Sequence, residues 1–145
     1  MWKNRSVALG LCAAAVLAVA GCSQQRSYRL SWIFEDQAQT PESTATGCGR
    51  YYVDSIMATG IDDAGDVQQI VALCIAGWVT ADATPGTWSF SVQMLNSQGA
   101  LIASAPPPYE TMTTSPAAIA SDGPPTQFSV VLWPKPPQAP TVRLR

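Results

Sequence analysis

The chain has 145 residues, a formal net charge of −2 and no histidine. Without an imidazole there is no Ser-His-Asp or Cys-His relay and no imidazole-ligated metal, and without a basic cluster nucleic-acid binding has no electrostatic footprint. Charged residues make up 12% of the chain, about half the usual ~25%, so Ser, Thr, Gln and Asn must supply the polar surface, as in many secreted β proteins.

Lys3 and Arg5 precede an almost uninterrupted apolar run from Ser6 to Ala20. A helix over that run spans about 22 Å, short of a ~30 Å hydrocarbon core, so it reads as a cleaved leader and not as a spanning helix. Leu17-Ala18-Val19-Ala20-Gly21-Cys22 then resembles the lipobox of bacterial lipoproteins. In that family the cysteine thiol is diacylglycerylated and the leader is cut before it. The resemblance therefore implies Cys22 as the lipid-attachment residue and the first residue of the mature chain. An ordinary secretory leader containing a cysteine is the alternative. Ser23 follows Cys22, and by similarity to the enterobacterial sorting rule this implies the periplasmic face of the outer membrane, ahead of the inner membrane or a Gram-positive surface. The expected organisation is a leader over 1–21, a lipidated tether over 22–27 and one domain over 28–145, held at the membrane through its lipid.

Losing Lys3 and Arg5 takes the net charge from −2 to −4. Cys12 leaves with the leader, so Cys48 and Cys74 remain for the fold. A bond between them closes a loop of about 27 residues, worth roughly 3.5 kcal/mol on the chain-entropy estimate. Two buried thiols or a metal pair are the alternatives. An oxidising compartment, no histidine and no CxxC spacing favour the disulfide.

In the mature chain, Tyr28, Leu30, Trp32 and Phe34 alternate with Arg29, Ser31 and Ile33, the period of a strand with one apolar face. Glu35 to Thr46 reads as a loop and Arg50 to Ile61 as a second strand. Asp62-Asp63-Ala64-Gly65-Asp66 comes next as a hairpin turn; it lacks the D-x-[DN]-x-[DN]-G pattern and the later glutamate of a calcium loop. Val67 to Trp78 is ambiguous. Val67, Ile70, Val71 and Cys74 have helical spacing, with Asp66 and Gly77 placed as caps, yet Ile70 to Ile75 is a compact β-rich run suited to a strand buried on both faces. The β character of the segments beyond Trp78 favours the strand. If the segment were a helix, the Cys48–Cys74 bond would staple it to the sheet.

Ala81 to Gly86 is a turn, Thr87 to Leu95 the clearest amphipathic strand, Asn96 to Gly99 a turn and Ala100 to Ala105 a further strand. Pro106 to Pro125 reads as an irregular edge or a pair of short strands around Tyr109, Met112 and Ile119. Phe128 to Trp133 is a strand, and Thr141 to Leu144 a last short one beyond a proline spacer. Ten of the twelve prolines lie from Pro106 onward, which excludes long helices there.

Seven or eight short strands between regular turns predict an all-β fold, an Ig-like β-sandwich. Trp78, Trp88 and Trp133 are expected in its core, with a functional aromatic patch as the lesser alternative. Gly77-Trp78-Val79-Thr80-Ala81, the turn to Gly86 and Trp88-Ser89-Phe90-Ser91-Val92 are similar to the hairpin of periplasmic curli-subunit chaperones. Those are small disulfide-containing Ig-like sandwiches that keep fibre subunits from polymerising early.

Glu35-Asp36 and Asp62-Asp63 are the adjacent carboxylate pairs, but neighbouring strand residues point to opposite faces, which suits neither pair to shared catalysis. No catalytic residue, metal site or cofactor is assigned. The functional expectation is a non-catalytic protein-binding or assembly module for an envelope or surface-fibre machine, with Tyr109 and Met112 on its partner face. A passive structural lipoprotein is the alternative, and a small-ligand-binding protein or hydrolase a further one.

Overall fold

The computed structural model describes residues 24–36, 38–105 and 112–139. The leader and Cys22, Tyr109, and the strand expected over 141–144 lie outside the described residues.

The first sheet, sheet A, forms around β1 (Arg26–Glu35). Its period of two holds throughout, with Tyr28, Leu30, Trp32 and Phe34 all buried. The strand starts at Arg26, inside the stretch read as tether. One side of β1 pairs antiparallel with β5 (Trp78–Ala83), from Arg26↔Ala83 to Ser31↔Trp78, and further along with β2 (Pro41–Glu42). The other side runs parallel to β8 (Thr126–Leu132), from Tyr28↔Thr126 to Phe34↔Leu132.

The second sheet, sheet B, is antiparallel in the order β4 (Val67–Leu73), β3 (Ser55–Asp62), β6 (Gly86–Leu95), β7 (Ala117–Ile119). The apolar faces of the two sheets meet in one core. The Phe90 ring of sheet B lies 4.9 Å from both Tyr28 and Phe128 of sheet A. Phe90 also covers Gly60, its cross-strand partner; a Cβ at residue 60 would overlap the ring. Buried indole N–H groups end on backbone carbonyls, Trp32 on Cys74 and Trp88 on Thr84, each at 2.9 Å. Such pairing removes the cost of burying a polar group.

Several sequence expectations are corrected. Thr44–Tyr51 is a helix, α1, where a loop running into a strand was expected. Ser43 caps it, its Oγ accepting from the Thr46 N–H at 3.2 Å, and Tyr52 ends it in the left-handed region. Gly47 lets the helix backbone rest on the Phe34 ring, where a Cβ would not fit. The next strand therefore starts at Ser55 and not at Arg50.

The strand choice at Val67 holds, but only to Leu73, and β4 is not buried on both faces. It is an edge strand with Val67, Val71 and Leu73 exposed at 65, 59 and 63%. A 3-10 turn at Cys74–Ala76 then carries the chain from sheet B into sheet A. The stretch likened to a chaperone hairpin is not a hairpin, because β5 lies in sheet A and β6 in sheet B. Ala100 to Ala105 supplies isolated bridges, Leu101 to Leu95 and Ser104 to Pro134, and not a strand.

Candidate functional site

The two fold cysteines are joined. Cys48 of α1 is bonded to Cys74 of the 3-10 turn, 26 residues on, with their Cα atoms 6.0 Å apart. The bond pins the helix to the crossover between sheets, so its role is structural.

The carboxylate pairs are occupied in holding turns. Asp62 is buried, and its Oδ1 accepts from the backbone N–H groups of Ala64 (3.0 Å) and Asp66 (2.7 Å), closing the β3–β4 hairpin. Asp36 Oδ1 accepts from Ala38 and Thr40 N–H in the same manner, at 2.9 and 2.8 Å. Glu35 Oε2 accepts from the Trp133 indole N–H at 3.3 Å. Among the described residues no group of three or more His, Cys, Asp or Glu side chains converges as a metal site.

The three tryptophans do not gather. Trp88 is buried as expected and Trp133 is partly buried. Trp78 is 47% exposed, contrary to its expected place in the core, because it opens β5 on the side that faces outward from sheet A. The Arg29 guanidinium stacks over its ring at 4.1 Å. Of the expected partner face, Met112 is partly buried against the core, and its carbonyl accepts the Val92 N–H at 2.8 Å. Its backbone thereby continues the ladder on the open side of β6. Tyr109 is outside the described residues.

A depression of about 300 Å³ lies against β1 and β8, lined by Ser31, Ile33, Thr113, Ser129, Val131 and Trp133 among others. Among the described residues its lining is hydroxyl-bearing and apolar, with no ionisable side chain. Tyr28 is a phenol held deep in the core and strongly perturbed. Burial, and then the Asp82 carboxylate, push its pKa up to about 12, while its hydroxyl donates to Gln68 Oε1 at 3.2 Å. It is a neutral, hydrogen-bonded core group at physiological pH.

What sets this surface apart is the outer face of sheet B. Cross-strand register lines it with rows Val67–Ile61–Ser89, Gln69–Thr59–Ser91, Val71–Met57–Gln93 and Leu73–Ser55–Leu95. Bridges extend two rows, to Thr113 and Leu101. Among the described residues no row holds a charged side chain. The face ends at β4, whose sequence VQQIVAL carries no charge, proline or glycine, and which has no strand beyond it among the described residues. Native edges are ordinarily blunted by just such residues, and large exposed apolar patches mark interaction sites. By contrast, sheet A's outer side carries Arg29 and an Asp82 carboxylate that accepts from Ser27 Oγ at 2.6 Å.

Sequence reasoning missed this face because it needs the register of three strands. One signal was present: the polar positions of β6 are Thr87, Ser89, Ser91 and Gln93, where an exposed strand usually carries Lys or Glu. Comparison with protein-family models, characterised proteins and solved structures finds no significant match.

Proposed function

We propose that this chain is a lipid-anchored envelope protein whose Ig-like β-sandwich works as a non-catalytic protein-binding or assembly module. The observation that carries the reading is the uncharged, apolar-rich outer face of sheet B with the open edge of β4 beside it. Val67, Val71 and Leu73 stand out from an edge strand whose own sequence carries nothing to blunt it. A partner can add a strand to that edge through main-chain hydrogen bonds while its side chains cover the apolar rows. The anchor at Cys22 and the outer-membrane location rest on the lipobox resemblance, and the chaperone likeness adds nothing once its hairpin is split between sheets.

The test is crosslinking and pull-down of the lipidated protein from its native envelope, with mass spectrometry of what is recovered. Val71→Lys, on an exposed outward position, leaves the fold intact and abolishes stoichiometric recovery of partner proteins. Unchanged recovery removes sheet B from the reading. A passive structural lipoprotein uses the same anchor, and Cys22→Ser separates the two: an assembly module keeps partner binding when released from the membrane, whereas a passive tether loses it.

A further inference from the structure

We infer that the partner covering the outer face of sheet B is a second copy of this chain. The inference rests on the binding-module reading of that face and adds the identity of what binds there. A two-fold interface places the same patch on both sides, so each group must be compatible with its own kind. Carboxylates only accept hydrogen bonds and ammonium groups only donate, so charged residues oppose self-association. Hydroxyls and carboxamides do both. The polar members of the rows are Gln69, Thr59, Ser91, Ser89, Gln93 and Ser55, every one of the self-compatible kind. Gln69 already donates to Thr59 Oγ1 at 3.5 Å within one copy. The remaining members are aliphatic side chains and Met57, which pack against their own kind equally well.

The area is modest. Four rows two residues apart and three to four strands wide give a face of roughly 20–27 by 14–19 Å, about 400 Å² per copy. Two copies together cover about 800 Å², below the ~1,000 Å² that a standing specific interface clears. This is a weak dimer in dilute solution. Anchoring both copies in one membrane raises their effective concentration, and the pair then persists.

The experiment uses the full lipidated chain in its own envelope. Ser91→Cys places a thiol on the exposed middle of sheet B's outer face, and Gln127→Cys places one on sheet A as control. A short bis-maleimide is expected to convert most of the Ser91→Cys protein to a band of twice the mass. Gln127→Cys should give none, and adding Met57→Lys to Ser91→Cys should reduce the band at least tenfold. Absence of the band in protein with its Cys48–Cys74 bond intact, or equal bands from both cysteine variants, overturns the inference. If the band is absent while Val71→Lys still strips other proteins from the pull-down, the second copy falls and the binding-module reading stands. If both are negative, both fall.

Discussion

Tyr28 shows how a single side chain can tie this core to pH. Its ring packs tilted against Phe90 and edge-to-face with Phe128, and its hydroxyl reaches Gln68, so the neutral phenol is what the folded state holds. With a folded pKa of about 12 against 10.0 unfolded, the native chain retains a proton that the unfolded chain releases. The resulting stabilisation is complete below pH 10 and disappears as pH rises through 12, a loss of about 2–3 kcal/mol. Urea unfolding at pH 8 and near pH 12 measures it. The wild type should lose this increment relative to Tyr28→Phe, which starts lower by about 1 kcal/mol for its missing hydrogen bond and lacks this pH dependence. Equal pH profiles for the two proteins refute the assignment.

At the scale of elements, α1 depends on what surrounds it. It has eight residues, two of them glycine, and its ends are held by the Ser43 cap and by the Cys48–Cys74 bond. Helices this short are marginal alone. Replacing both cysteines by serine should lower stability by about 3 kcal/mol and the melting temperature by on the order of 10 °C. Hydrogen exchange should show protection lost first at the Gly47 and Val53 amides, which bond to Ser43 and Cys48 carbonyls, while β6 amides persist. Uniform loss across the sheets would contradict a local role. The same dependence explains what the sequence made legible. β1, β6 and β8 were readable because each has one buried and one exposed face, and period two records that directly. α1 was not, since its signal lies in a cap and in contacts with Phe34 and Cys74, distant along the chain. β4 was readable as a strand but not as an edge. Burial on one face or two is decided by neighbours, and Ile70 to Leu73 has the same composition either way. The Pro85-Gly86 turn likewise marks a reversal without saying whether the chain stays in its sheet.

The whole molecule has two unlike poles. Strand β1 starts at Arg26, beside Asp82 of β5 and the turns carrying Asp62, Asp63, Asp66 and Asp122. The opposite pole collects α1, the disulfide and the exposed Tyr52, Leu73, Ile75 and Leu101. The four residues from Cys22 to Arg26 can span at most about 13 Å, while ten-residue β1 is about 33 Å long. If the chain is anchored through Cys22 as proposed, the acidic pole is held near the headgroups and the opposite pole is carried away from them. A fluorophore at Ser121→Cys should be strongly quenched by a headgroup-borne quencher, and one at Ser97→Cys little affected. Equal quenching at both sites contradicts an upright domain. The parallel pairing of β1 with β8 has a mechanical consequence. If the membrane holds the start of β1 and a partner pulls on the end of β8, the two ends of the load sit at opposite poles. Force then runs along the strands, and the ladder from Tyr28↔Thr126 to Phe34↔Leu132 must shear as a unit, because no end is presented for peeling. A domain loaded this way bears tension along its strands and not across them.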